Sequence, residues 1–391
     1  MSTARTTNPR AFIVIGKSRP LLLQVLLSIH AFTDARCLVI CKTGTRFLRK
    51  SPLCAEYMET GFSGNDDAAL VERINRFSTQ AAEAILIPAD CIGARLVDRI
   101  RPALAVSLFP TADAATIDRF DDKWRFHAFC AAHGVRTPPS RLVADKHALN
   151  YDDMVATLGS PFLIKPVNED SSRGAHIITS RDQFSRTVLD DASYRYAPLI
   201  VQRYIAGTDV GVNLLALHGE VTAISIQQRV DPARDGSRIV FFDNPYLEHV
   251  ARTVARESAY HGVMNIDARI EAGTGDVYLF ESNPRFWRST SASAWCGMNF
   301  VELGVTAPAG KVRKLVSGTA DTYFHPLYAP ALCPHALFGN GQRRRMARAM
   351  LFDACEFLSS TRIVVLQAAK PGWTRLRAWR RKLHRSGAMH A

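Results

Sequence analysis

The stretch NIDARIEAGTGDVYLFESNPRFWRS, residues 265–289, decides how the chain is read. NIDARI and VYLFESN flank EAGTGD, whose two glycines mark a hairpin turn. If the hairpin is centred on Thr274, Asp267 lies opposite Glu281 and Asn265 opposite Asn283. Side chains alternate along a strand, so all four share one face. Opposed Cβ atoms are about 5 Å apart, and two carboxylates at that separation repel. Such a pair is stable only if one carboxyl keeps its proton or a cation lies between them. Carboxylate and amide oxygens with no histidine or cysteine beside them suit a hard ion such as Mg²⁺, which keeps waters and phosphate oxygens as its other ligands. Arg285 and Arg288 just beyond add fixed positive charge for phosphate oxygens. The competing reading is an exposed hairpin whose acids simply pair with these arginines.

Working outward, 391 residues can bury a sizeable core in two to four lobes. The N-terminal MSTARTTNPR has no apolar run behind it of the kind a secretory signal needs. No window approaches 18 uncharged apolar residues, so no segment is expected to span a membrane. The eight cysteines are scattered without a CxxC pair, which points to buried thiols in a reducing cytoplasm. The net charge of +13 would suggest nucleic acid if it covered the body. Residues 340–391, however, hold 12 Lys and Arg against 2 Asp and Glu, so +10 lies there and the first 339 residues are nearly neutral. No nucleic-acid partner is therefore expected.

The first ~110 residues alternate apolar strands (AFIVIG 11–16, CLVIC 37–41, AILIP 84–88, LAVSLF 104–109) with helices such as PLLLQVLLSIHAF. This is the pattern of a parallel α/β lobe. Gly16-Lys17-Ser18 resembles the end of a phosphate-binding P-loop, but position 11, where the first glycine should stand, is Ala. A single helix through DRFDDKWRFHAFCAAHG, closed by Gly134, leads into strands and turns from Pro161. PFLIKP delivers Lys165 at its end, ahead of a turn, Ser171-Ser172-Arg173-Gly174, that can wrap backbone N–H groups around an anion. Lys123 lies within reach of a phosphate, and Asp209 in QRYIAGTD suits sugar hydroxyls.

In this order the pieces DDKWRFHAFCAAHGVRTPPS, PFLIKPVNEDSSRGAH, IVQRYIAGTDVGV and NIDARIEAGTGDVYLFESNPRFWRS resemble the ATP-grasp superfamily. They are most similar to its carbamoyl-phosphate-synthetase-like branch, over about residues 115–305. The resemblance implies an α/β fold of the α+β ATP-grasp type. A pre-ATP-grasp lobe (1–112) would precede an ATP-grasp domain (113–310) whose two α+β lobes clasp ATP. An extension of unknown role (311–391) follows, ending in a basic helical tail.

The resemblance also implies roles. Lys123 and Lys165 would hold ATP phosphates, and Ser171, Ser172 and Gly174 would close over them. Gln202, Arg203, Tyr204 and Ile205 would form the hinge against adenine, with Asp209 on the ribose. Asp267, Glu281 and Asn283 would bind Mg²⁺ or Mn²⁺, as two ions. Arg285 would face an acyl phosphate, and Arg288 would be a further phosphate-side arginine. Two departures stand out: Gln202-Arg203 replaces a commoner glutamate, and Asp267 is shorter than the usual Glu or Gln.

The expected reaction joins a small-molecule carboxylate to an amine. Phosphoryl transfer from ATP makes an acyl phosphate, which the amine then displaces, so no protein nucleophile is needed. The alternatives are a phosphotransferase that stops after the first step, or a nucleotide-binding protein attached to anionic surfaces. Arg229 and Arg238, beside DPARDGSR, are candidates for gripping a substrate carboxylate. In the tail, PGWTRLRAWRRKLHR (371–385) spaces Trp373, Leu376, Trp379 and Leu383 along one helical stripe amid six basic residues. That pattern suits peripheral contact with an anionic membrane or polyanion, at the inner membrane surface.

Overall fold

The computed structural model describes residues 10–43, 46–170, 172–230, 238–306, 312–315, 322–324, 338 and 341–352. The first lobe holds β1 (Arg10–Gly16), β2 (Arg36–Cys41), β3 (Glu56–Glu59), β4 (Glu83–Pro88) and β5 (Ser107–Leu108). They form a parallel sheet in the order β3-β2-β1-β4-β5. Helices α1 (Arg19–Phe32), α2 (Asp67–Ser78) and α3 (Cys91–Ile100) cover it. Phe12 and Val14 enter one core, while Ala11, Ile13 and Ile15 enter the other. Burial on both faces explains why these strands read as unbroken apolar runs.

Two expectations need correction here. β3 was not anticipated, because EYME is a half-buried edge with no apolar run to announce it. LAVSLF narrows to the two-residue β5 at the opposite edge. The Gly16-Lys17-Ser18 turn is already filled from within: Asp90 Oδ2 accepts the N–H groups of Lys17 and Ser18, each at 2.6 Å. This carboxylate sits where a P-loop would seat a phosphate, in agreement with the missing first glycine.

The connecting helix is also broken, into α4 (Ala114–Asp121) and α5 (Lys123–Ala132). Asp122 leaves the helical conformation and its carboxylate caps the N–H groups of Trp124 and Arg125. Lys123 therefore opens a helix instead of lying inside one.

A small antiparallel sheet follows, from β6 (Ser140–Val143), β7 (Phe162–Pro166), β8 (His176–Ile178) and β9 (Leu199–Arg203), in the order β6-β9-β7-β8. One face closes over Val143, Phe162, Ile164, Ile178, Leu199 and Val201, with α6 (Tyr151–Leu158) and α7 (Arg181–Phe184) beneath.

The larger sheet contains β10 (Gly207–Leu217), β11 (Glu220–Arg229), β12 (Arg238–Phe241), β13 (Gly262–Glu271) and β14 (Val277–Asn283). α8 (Pro245–Glu257) packs beneath it, and α9 (Thr290–Trp295) and α10 (Phe300–Thr306) follow. β15 (Arg313–Leu315) pairs with β11, and β16 (Thr322–Phe324) extends the edge at β12. The sheet thus continues past residue 310, where the expected domain boundary lay. Helix Gly341–Phe352 buries Met346 and Met350 in the core that α1 shares, and Arg343 Nε donates to the Trp295 carbonyl at 2.7 Å. The stripe at 371–385 lies outside the described residues. Among those described, no helix is long and apolar enough to cross a membrane.

Candidate active site

The β13–β14 register pairs Asn265 with Asn283 and Asp267 with Glu281. Between Asp267 and Ala268 the register shifts, so that Ala268 faces Leu279 and Phe280 is the extra residue. This bulge keeps both carboxyls on one face; without it, the pairing nearer the turn would set Asp267 against Phe280. It also turns Phe280 toward the site, where Lys165 Nζ lies 5.6 Å and the Arg269 guanidinium 5.4 Å from its ring centre.

The charges converge on Glu281. Lys123 Nζ lies 3.5 Å and Lys165 Nζ 3.7 Å from its Oε2, and both lysines are over 90% buried. β7 brings in Lys165 and the α5 N-terminus brings in Lys123, which also donates to the carbonyls of Val167 and Glu169. Burial lowers the Lys165 ammonium to about 8, with Lys123 adding to the effect and Glu281 opposing it. Burial and then Glu281 push the Asp267 carboxyl up to about 7, although Arg285, Asn283 and Lys165 pull it back. Burial would raise Glu281 too, but Lys165 and Lys123 outweigh it and hold this carboxyl below its ordinary value. The two facing carboxyls are thus pushed apart: burial and Glu281 oppose ionisation of Asp267, while the lysines favour that of Glu281.

A ladder of amides supports this arrangement across four strands. Asn213 Nδ2 donates to Ser225 Oγ (3.2 Å), Asn265 Nδ2 to Asn213 Oδ1 (3.0 Å), and Asn283 Nδ2 to Asn265 Oδ1 (3.1 Å). Asn283 Nδ2 also reaches Asp267 Oδ2 at 3.2 Å, and Arg285 Nη2 donates to Asn283 Oδ1 at 2.9 Å. The carboxylate oxygens of Asp267 and Glu281 and the amide oxygen of Asn283 are hard oxygen ligands suited to Mg²⁺, and two carboxylates with one amide leave room for waters and phosphate oxygens. Sequence reading did not find Asn213, Ser225 or Phe280. Asn213 falls in the apolar run VGVNLLAL, where its polarity at a fully buried position was the available signal.

A family model described as ATP-grasp in the biosynthetic pathway with Ter operon matches residues 195–324. The arginine-specific large chain of carbamoyl phosphate synthase from Bacillus subtilis is 23% identical over 210 residues, 51% of this chain and 20% of its own length. A D-alanine–D-alanine ligase from a Synechococcus species is 30% identical over 107 residues, 27% of this chain and 31% of the relative. The match thus spans a third or less of these curated relatives. Among solved structures, N5-carboxyaminoimidazole synthetase from Staphylococcus aureus, complexed with ADP, superposes with TM-score 0.59 at 13% identity, covering 79% of this chain and 80% of the other. The L-amino acid ligase from Bacillus licheniformis gives 0.56 at 14% identity, covering 76% and 73%. These two likenesses show the fold. The ATP-grasp match thus lies within residues 195–324, and the chain shares its fold with these two structures.

The small sheet has a second face, which carries Lys165. Leu163 registers with both Gln202 and Ile177, and Lys165 registers with Ile200, which faces Leu142. Leu142 and Ile177 are 44% and 45% exposed, so this face offers apolar surface beside Lys165. Gln202 is 1% exposed; its Nε2 donates to Ser140 Oγ at 2.9 Å, while Oε1 has no partner among the described residues. Arg203 reaches back to the hairpin, donating to Tyr278 Oη at 2.9 Å, and the Ile205 carbonyl accepts from Arg269 at 2.8 Å. The Arg269 guanidinium lies 5.6 Å from the Tyr204 ring centre and donates from Nε to Asp209 at 2.6 Å.

Other expected residues lie at exposed or turn positions. Asp209 is 78% exposed at its side chain, and Arg288 is exposed just before α9. Ser172 and Gly174 form the turn after β7, and Ser171 lies outside the described residues. Arg229 registers with Ile239, so Arg238 is one residue out of phase and on the opposite face. Of the two arginines, Arg229 is the one that shares the face of Asp267.

Proposed function

We propose that the chain is an ATP-dependent ligase that joins a small-molecule carboxylate to an amine, with Mg²⁺ or Mn²⁺, as two ions, at Asp267, Glu281 and Asn283. The observation that carries this reading is the single cluster of two facing carboxylates, two buried lysines and an amide–arginine pair. These groups align and neutralise charge; they do not attack. The bound metal would polarise phosphate oxygens and offset their charge. Lys123 and Lys165 would hold the phosphates, and Arg285, three of whose five N–H donors remain beyond the two bonds to Asn283 and Phe286, would face charge that develops during transfer.

A carboxylate oxygen attacks the γ-phosphorus and ADP departs with the bridging oxygen. The amine then attacks the acyl carbon, phosphate leaves with the former carboxylate oxygen, and the amine gives up a proton. Gly211 registers with Asp267 on one side and Gln227 on the other, so the floor between them has no side chain. A Cβ there would lie 3.3 Å from Asn265 Nδ2, and the backbone does not demand glycine, so the trough suits close approach by a ligand. The acid substrate is assigned to this trough, with Arg229 beyond it.

Adenine is assigned to the apolar face of the small sheet, where Gln202 Oε1 would accept from its amino group. Gln202→Leu should weaken ATP binding about tenfold while leaving GTP binding unchanged, the cost of one lost hydrogen bond to a desolvated donor. Isothermal titration with both nucleotides checks this. ADP release across a panel of amino acids, singly and in pairs, tests the function itself. Release that rises only when an amine accompanies an acid supports a ligase. Release with the acid alone, unaffected by any amine, points to phosphoryl transfer without ligation.

A further inference from the structure

The turn after β7 is held from outside by two tyrosines that the chemistry above does not use. Ser172 and Gly174 both have positive φ, 58° and 69°, so the turn doubles back on itself. The Ala175 N–H donates to the Ser172 carbonyl at 3.2 Å, and the Arg173 N–H to that of Asp170 at 3.1 Å. Tyr194, 3% exposed in the segment before β9, donates its hydroxyl to the Gly174 carbonyl at 2.9 Å. The peptide unit joining Gly174 to Ala175 is therefore gripped at both ends, its carbonyl by Tyr194 and its N–H by Ser172. Because a peptide is planar, fixing both ends fixes its orientation.

Tyr196 adds a steric wall. Its ring meets that of Tyr194 edge to face, with centroids 5.1 Å apart, and covers Gly174 so closely that a Cβ there would come 2.6 Å from Cε2. Only glycine fits between this ring and Pro166 while keeping that φ.

We propose that Tyr194 and Tyr196 are positioning residues that preset the backbone of the 172–175 turn for the nucleotide's phosphates. This rests on the nucleotide reading given above. A turn ordered before binding does not lose that freedom on binding, so the two side chains act on affinity without touching the ligand.

Tyr194→Phe removes the hydroxyl and keeps the ring, and Tyr196→Leu removes the wall. Isothermal titration of each full-length variant with Mg·AMP-PNP and with adenosine separates positioning from packing. The expected result is an affinity for Mg·AMP-PNP about tenfold weaker in Tyr194→Phe, weaker also in Tyr196→Leu, with adenosine binding unchanged in both. Mg·AMP-PNP binding at wild-type strength in both variants would overturn the inference. So would equal losses for both ligands, which would mean only that the small lobe had loosened. A wild-type chain that binds neither ligand would remove the nucleotide reading and this inference with it.

Discussion

Glu281→Gln is expected to lower ADP release at saturating Mg²⁺ by more than about 100-fold, beyond what loss of an outer contact to a metal costs. Glu281 is the point where the charges meet: Lys123 and Lys165 lie within 4 Å of one oxygen, and Asp267 stands opposite in register. The glutamine keeps the shape and removes the charge. It also takes away the repulsion that adds to burial in raising Asp267, and Lys165, already lowered to about 8, can shed its proton, so the fold should survive. Asp267→Asn should be severe but weaker, because water can replace part of one ligand. A coupled ADP assay, with thermal melting to verify folding, gives both answers. Near-wild-type turnover of Glu281→Gln would remove the metal assignment.

Lys165→Ala and Arg285→Ala should fail in different ways. Lys165 sits at the end of a strand, buried and aimed at Glu281, where ground-state phosphates would lie. Its loss should raise KM for ATP at least about tenfold as well as lowering kcat. Arg285 is tied to Asn283 and to the Phe286 carbonyl, so it is fixed before the charge it would meet has formed. Its loss should depress kcat by about 10²- to 10³-fold, the range for removing one such donor, with a smaller change in KM for ATP. Steady-state kinetics over ATP concentration separate the two patterns. Effects of both substitutions on KM alone would contradict these roles.

Much of the fold was legible because burial leaves a period in the sequence. Strands covered on both faces, such as Phe12–Ile15, show as continuous apolar runs, and the hairpin at 271–276 shows in its glycines. The facing of Asp267 and Glu281 followed from a centre at Thr274, and it holds through a bulge at Phe280 that no residue pattern announced. What stayed hidden has a physical cause in each case. β3 is a polar edge, so it has no apolar signature. The break at Asp122 depends on a cap, and an aspartate in a helical pattern reads equally well as a solvated surface residue. Asn213, Ser225 and the two tyrosines at 194 and 196 act through contacts between segments distant in sequence, which spacing alone does not encode. The opposite facing of Arg229 and Arg238 likewise needed the strand register.

The central claim, that a carboxylate is activated as its acyl phosphate, is tested most directly by following one oxygen. An acid substrate found in the ADP-release panel is labelled with ¹⁸O in its carboxylate and incubated with the chain, Mg·ATP and the amine, and the released phosphate is analysed by mass spectrometry. The account predicts one ¹⁸O in each phosphate, formed in step with ADP and amide. Phosphate without label, released at the same rate as ADP, would contradict it.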